Sequence, residues 1–259
     1  MDIATIGGLI LAWTAVVASA LMEGTNMRAL ASVPAVLLVV VGSLGATMIG
    51  FPIQTVKNLP SILRNAFFGR KLDLSENIRQ IVSLAEKARR AGILALEDEA
   101  DQIKDPFLRK GVQLAVDGFD IEETRGILEN ELANLDARHK VGEAFFATMG
   151  GFSPTLGIIG TVLGLVNALG KLDSPSEMGE AIAAAFVATL YGVSVANLAF
   201  LPIGAKLKAR NDAEMLVREA MVVGILAIEA GEAPRNIEEK LRVFLAPRER
   251  TLLDKDKKR

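Results

Sequence analysis

Three threonines and two prolines are the residues whose chemistry is least at home in their surroundings. Thr155, Thr161 and Thr189, with Pro154 and Pro202, all lie in stretches that hold no charged side chain. A hydroxyl in an apolar helix either bonds back to its own backbone or points into a polar cavity. A proline there either punctuates the end of a helix or bends it beside a water-filled path, because it removes a backbone donor. The chemistry within reach is therefore the lining of a polar path. It cannot include proton transfer by this chain alone, because no Asp, Glu, Lys, Arg or His stands in these stretches. If ions pass, another chain must bring the titrating group.

The elements that must position these residues are four uncharged windows, Ile3–Met22, Ala29–Val56, Ala144–Gly170 and Ala181–Ala205. A bilayer core of about 30 Å needs roughly 20 helical residues, and each window reaches that length. Hydrophobic residues make up 51% of the 259-residue chain, and its mean hydropathy is +0.34. Both values fit an integral membrane protein. The first window has no basic stretch ahead of it, only Met1 and Asp2, and reads as a retained helix rather than a cleaved leader.

Of 29 lysines and arginines, 14 fall between Lys57 and Lys140 and 13 between Lys206 and Arg259, leaving only Arg28 and Lys171 elsewhere. Lys57, Arg64, Arg70 and Lys71 follow the second window, and Lys206, Lys208 and Arg210 follow the fourth. Basic residues at span ends mark the cytoplasmic side. Both large polar segments and both termini are thus expected inside, with short outer turns at 23–28 and 171–180. The expected division is a transmembrane hairpin (1–56), a helical cytoplasmic region (57–143), a second transmembrane hairpin (144–205) and a cytoplasmic helical tail (206–259).

The polar segments show helical periodicity. Ile78, Ile81, Val82, Leu84 and Ala85 recur at three- and four-residue steps, with Ser75 and Glu76 as the expected helix start. Ile93, Leu94 and Leu96 continue an apolar face. Asp105-Pro106 breaks the pattern, a helix follows over 107–116 to Asp117-Gly118, and the helix from Ile121 can run on into the third span. Residues 211–245 read alike, with a break at 231–234. The charged end Asp254–Arg259 is expected to fray. Strand signals are weak, so the expected fold is all helix.

Small residues recur four apart: Gly160, Gly164 and Ala168 in the third span, Ala184, Ala188, Gly192 and Ala196 in the fourth, and Gly42, Ala46 and Gly50 in the second. Such stripes let helix backbones approach closely in lipid, either within one chain or between subunits. Pro52 and Pro60 read as punctuation. Arg89 and Glu97, eight residues apart, would share one helix face, with Arg90 beside them. As exposed charges they read first as a solvated surface. No phosphate loop, metal-ligand pair or activated nucleophile is visible. His139 stands alone, the absence of cysteine removes disulfides and thiolate metal sites, and Trp13 and Tyr191 suit an interface or packing.

The ordered set Ala88-Arg-Arg-Ala-Gly-Ile-Leu-Ala-Leu-Glu97, Asp105-Pro-Phe-Leu108, Ala115-Val-Asp-Gly118, Ser153-Pro-Thr-Leu-Gly157, Gly160-Thr-Val-Leu-Gly-Leu165, Ala184-Ala-Phe-Val-Ala-Thr-Leu-Tyr-Gly192, Leu201-Pro-Ile-Gly-Ala-Lys-Leu207, Ile228-Glu-Ala-Gly231 and Lys240-Leu241 resembles the MotA family. This is the larger subunit of the bacterial flagellar stator, with its sodium-driven PomA and MotP branches. The resemblance runs from the first span to about Pro247. It implies a multi-pass protein of the bacterial cytoplasmic membrane. That protein conducts ions together with a MotB- or PomB-type, peptidoglycan-anchored partner whose span carries an essential aspartate, and it turns the flux into torque on the rotor protein FliG. It implies a homo-oligomer, a pentamer around a partner dimer, and no nucleic-acid partner or cofactor.

By the same resemblance, Pro154 and Pro202 match the prolines of the ion path and conformational step, and Arg89, Arg90 and Glu97 match the FliG-facing charges. Thr189 matches a threonine near the partner's aspartate. Thr161 matches a position that is threonine in sodium-driven members and often alanine in proton-driven ones. The coupling ion is therefore expected to be Na+, with H+ the other candidate. The small-residue faces (Gly160, Gly164, Ala184, Ala188, Gly192) are expected to meet neighbouring subunits and the partner. The alternatives are an ExbB/TolQ-like energising subunit of an outer-membrane system, which has three spans and lacks the first hairpin, and a membrane scaffold without ion flow.

Overall fold

The computed structural model describes residues 3–68 and 73–256. Arg70 and Lys71, counted in the orientation argument, and Met1, Asp2 and Lys257–Arg259 lie outside them. The described elements are all helical: α1 (Ile3–Met22), a single turn at Met27–Leu30, α2 (33–49), α3 (Ile53–Phe68), α4 (Leu74–Ala91), short turns at Ile93–Leu96 and Glu97–Ala100, α5 (Pro106–Val116), α6 (Ile121–Leu169), α7 (Pro175–Glu229), α8 (Pro234–Arg242) and α9 (Pro247–Asp256). Four helical stretches are long and apolar enough to cross a membrane: Ala4–Met22, Met27–Ile49, and parts of α6 and α7.

The chain forms two compact units. One comprises Met1–Arg70 with His139–Arg210, and the other Lys71–Arg138 with Asn211–Arg259. α6 and α7 each contribute residues to both.

The first unit holds the spans. Its core gathers Val39, Phe145, Phe146, Met149, Val195 and Phe200. Phe145 stacks edge-on against Phe51 at 5.1 Å and against Phe146 at 5.9 Å, the geometry favoured by ring quadrupoles. The second span does not run unbroken over 29–56. Ser32 caps α2 through its hydroxyl, which accepts from the Ala35 N–H at 3.4 Å, and Pro34 stands in the first turn. The helix ends at Ile49, with Gly50 next and Pro52 ahead of α3. Ile53–Val56 therefore belong to the next helix. Pro60 is no boundary: it sits inside α3.

In the second unit the apolar stripe read from periodicity forms the core. Ile78, Ile81, Leu84, Phe107, Leu108, Leu128, Met221, Ile225, Ile237 and Leu241 are all buried together. α4 starts one residue before the expected Ser75, because Asp73 accepts from the Glu76 N–H at 3.1 Å, a better cap than a serine already inside the first turn. α5 starts on Asp105, which accepts from the N–H groups of Phe107 (2.9 Å) and Leu108 (3.0 Å), with Pro106 next. Arg218 lies over the Phe107 ring at 5.2 Å and 3.6 Å from Asp105.

Candidate functional site

The third and fourth spans meet backbone to backbone. A Cβ on Gly157 would stand 2.9 Å from the Ala188 carbonyl oxygen and 3.1 Å from Gly192 Cα, and one on Gly192 would stand 2.7 Å from the Ser153 carbonyl oxygen. One turn further, Gly160 would meet Ala188 Cβ at 2.6 Å, and Gly164 would meet Ala185 Cβ at 2.6 Å. Only glycine permits such an approach, and in lipid this close packing is what holds helices together.

Gly157, Gly160, Gly164 and Gly192 are thus in contact within the chain. The seam also departs from the expected ladder. Ala188 and Gly192 lie in it, but Ala184 is exposed and Ala185 and Ala181 are buried instead. A strict four-residue step drifts off the face of a helix that turns every 3.6 residues, so the seam shifts to a three-residue step from Ala188 to Ala185.

This approach brings Thr161 and Thr189 together. The two hydroxyls are in direct contact. Thr161 Oγ1 also lies 3.1 Å from the Gly157 carbonyl oxygen and 3.2 Å from that of Ala185. Four oxygens thus converge, two hydroxyl and two carbonyl. Two hydroxyl protons cannot satisfy all of their lone pairs. The cluster is an acceptor-rich spot in an apolar helix pair, of the oxygen type that suits a hard cation. Among the described residues no group of acidic, histidine or cysteine side chains could hold a metal ion by itself. Thr155 is exposed and outside this cluster.

The prolines sit inside helices, not at their ends: Pro154 in α6 and Pro202 in α7, two residues past a widened turn at Ala196–Phe200. Pro154 has no N–H for the Gly150 carbonyl. A Cβ on Gly150 would meet the Leu201 side chain at 2.6 Å, so the turn that Pro154 leaves short of a hydrogen bond packs against the residue preceding Pro202. Ser153 is fully buried and donates to the Met149 carbonyl at 2.8 Å. Gly150, Ser153 and Gly157 were missed as site residues, although Gly157 lies three positions before Gly160 and so on the same face. Asn197, also missed, donates to the Val193 carbonyl at 2.9 Å.

Arg89 and Glu97 do not share a helix face. α4 ends at Ala91, Gly92 follows with φ of +84°, and Glu97 begins another helical turn. The expected two-turn spacing between Arg89 and Glu97 fails because of this glycine break. Arg89 donates from Nη1 to the Gly231 carbonyl at 3.1 Å. Arg90, Glu97 and the apolar Leu94 are exposed, whereas Leu96 is fully buried. Lys87 pairs with Glu99 at 2.6 Å.

Residues 99–220 match the MotA/TolQ/ExbB proton channel family, and residues 6–92 match the Motility protein A N-terminal family. Motility protein A of Bacillus subtilis (strain 168) is 38% identical over 251 residues, 96% of this chain and 93% of that protein. Chemotaxis protein PomA of Vibrio alginolyticus is 36% identical over 252 residues, 97% and 98% of the two chains. The solved structure of C. jejuni MotAB matches with a TM-score of 0.92 at 33% identity, over 95% of this chain and 97% of that one. The flagellar MotAB stator complex from Bacillus subtilis matches with a TM-score of 0.89 at 37% identity, over the same shares. Both family models match, the likeness to motility proteins runs the full length, and the chain belongs to the Motility protein A family of ion-conducting flagellar stator subunits, within the MotA/TolQ/ExbB proton channel family.

Proposed function

We propose that the Thr161–Thr189 oxygen cluster is where this stator subunit faces an ion carried by the carboxylate of a MotB-type partner span, and that the ion is Na+. The single observation that carries the reading is the convergence of two hydroxyls and two backbone carbonyls in spans without an ionisable side chain. A sodium ion shed of water needs several hard oxygens. These four supply part of the shell, and a partner carboxylate supplies charge as well as oxygen. An ionisable group within the membrane is the usual mark of an ion path, and here it must come from outside the chain. H+ remains the other candidate ion.

The relatives of solved structure are MotAB complexes, which supports a MotB-type partner and an oligomer for this chain, and we take that oligomer to be a pentamer around a partner dimer. Ile158, Val162 and Leu163 beside the cluster are more than half exposed in the isolated chain, an apolar surface of the kind a partner span would cover. Pro154 and Pro202, abutting through Gly150 and Leu201, supply the bend that moves when the ion binds, with exposed Thr155 on the adjoining turn of the path. Arg90 and Glu97 offer exposed charge to FliG, and Arg89 holds the neighbouring loop while joining that surface. The chain lies in the cytoplasmic membrane with both termini and both polar segments inside.

Swimming speed of cells relying on this subunit, measured against sodium at fixed pH, tests the reading. Sodium dependence that is lost in Thr161→Val supports it. Robust conductance from this chain alone in liposomes overturns it, because the chain brings no charged carrier.

A further inference from the structure

An apolar cavity of about 200 Å³ lies within the membrane unit, lined by Trp13, Val16, Leu30, Ala31, Leu190 and Tyr191 among others. It sits between α1, the helical turn Met27–Leu30 and the middle of the fourth span. None of the Thr161, Thr189 or proline chemistry reaches it. Its volume exceeds that of apolar cavities of about 150 Å³ that stay dry and take up a small hydrocarbon. One wall is α1, whose apolar window has no buried residue and whose Ile10, Leu11, Leu21 and Met22 are more than half exposed. The cavity therefore lies against the most exposed of the four apolar helices.

The turn that closes one side of the cavity also carries charge. Arg28 stands between the lining residues Met27 and Leu30 and is exposed. Its backbone is fixed by Asn26, whose Oδ1 accepts from the Arg28 N–H at 3.0 Å. Arg28 is the one basic residue before Lys57. An apolar slot walled by a turn that carries an exposed arginine offers both parts a phospholipid needs, a place for an acyl chain and a cation for its phosphate. Arginine suits the phosphate because its planar fork can donate two hydrogen bonds.

We propose that this cavity holds one acyl chain of an anionic phospholipid whose headgroup phosphate rests on Arg28. The lipid fills the space between α1 and the fourth span and fixes the position of Tyr191 and Leu190, one and two residues along from Thr189. The site is distinct from the surface that meets the partner span. It is lined by α1, the Met27–Leu30 turn and the fourth span, whereas that surface lies on the third.

Trp13 is the only tryptophan of the chain and lines the cavity, so it reports on the occupant directly. The assembled complex is placed in nanodiscs of phosphatidylcholine containing phosphatidylglycerol with brominated acyl chains as a minor component. Trp13 emission is taken as the difference between the protein and its Trp13→Phe variant. Quenching greater than the mole fraction of brominated lipid predicts is expected, with a preference over brominated phosphatidylcholine of about five-fold, the enrichment one basic residue gives toward an anionic headgroup. Arg28→Gln, at an exposed position, abolishes the preference. Ala31→Phe, which fills the cavity, lowers the excess quenching for both lipids. Quenching that follows mole fraction alone, equally for both lipids, overturns the proposal. So does an unchanged preference in Arg28→Gln. A cavity filled instead by a second copy of this chain gives no excess quenching from either lipid and overturns it as well.

Discussion

The hydroxyls of Thr161 and Thr189 touch across the third and fourth spans, and they can do so only because Gly157 and Gly192 bring the two backbones together four and three residues away. Thr189 is itself part of the seam, its Cα 3.2 Å from where a Cβ on Gly157 would stand, and Thr161 lies one turn along from that glycine. Ion chemistry and helix packing are thus linked through a few residues on one face.

If the pair forms an ion site, Thr161→Val and Thr189→Val each lower ion-driven swimming about ten-fold at limiting sodium, the scale of losing one buried hydrogen-bonding group. Thr161→Ser keeps the hydroxyl and retains most of the function. Because the two hydroxyls serve one cluster, the double variant is little worse than either single one. Swimming speed against sodium, with subunit abundance checked by immunoblot, reads these outcomes. Losses that simply add would separate the two residues.

Gly157→Ala forces a methyl group to 2.9 Å from a backbone oxygen that has no flexible side chain to yield. The expected cost is about 1–3 kcal/mol, seen as a lower thermal midpoint of the purified complex and reduced motility. Gly45→Ala, at a position with open space around it, is the control and should leave both nearly unchanged. A tolerated Gly157→Ala would mean that the spans do not pack as closely as described.

Pro154→Ala returns an N–H to α6 for the Gly150 carbonyl and straightens the helix. Membrane insertion and abundance are expected to be unchanged, and thermal stability to hold or rise, while swimming falls sharply. Torque of tethered cells separates a stiffened element from a misfolded one. Full torque with a straight helix would remove the bend from the working cycle.

Arg89 and Arg90 differ in their partners and should differ in their phenotypes. Arg89→Ala loses the bond to the Gly231 carbonyl and loosens the 230–233 loop, which hydrogen exchange of that segment detects. Arg90→Glu leaves the loop intact and weakens rotor docking, because an exposed charge contributes mainly to steering and specificity. Its defect should be suppressed by a charge reversal on the rotor surface and should depend on ionic strength. Glu97→Lys is expected to behave like Arg90→Glu.

Glu229, beyond the fourth span, has its carboxyl pushed above the usual carboxylate range. The cause is burial, partly opposed by the hydrogen bond from Thr124 and reinforced by the nearby Asp120 carboxylate. Thr124 donates to Oε1 at 3.3 Å, while the buried Oε2 has no hydrogen-bond partner. A carboxyl held above its unfolded value binds its proton more readily when folded. Stability is therefore lost as pH rises from the ordinary carboxylate range through the raised value, and no penalty remains below that window. Glu229→Gln, which cannot ionise, should raise the thermal midpoint at neutral pH and flatten its fall across that window. An identical pH profile in both proteins would mean that burial does not act on this carboxyl.

The four spans were legible in the sequence because charge in a bilayer core is costly, so uncharged windows of sufficient length mark themselves. The apolar face of α4 was legible for the same kind of reason: Ile78, Ile81 and Leu84 repeat at the period of a helix and could be buried only on one side. The stop at Asp105-Pro106 was written in backbone chemistry. Thr161, Thr189, Pro154 and Pro202 were picked out by type and by the family's ordered motifs.

What the sequence by itself determined was therefore local, namely which segments are helical, which are apolar and where polar groups interrupt them. Tertiary structure alone decided which of those residues meet. The seam uses Ala185 rather than Ala184, because contact depends on the fraction of a turn that a four-residue rule ignores. Arg89 and Glu97 stand on separate helical turns, because one glycine at positive φ redirects the chain between them. Thr161 finds Thr189 rather than Thr155, because that pairing is set by how near two backbones from distant parts of the chain can come, and closeness of that kind belongs to neither helix alone.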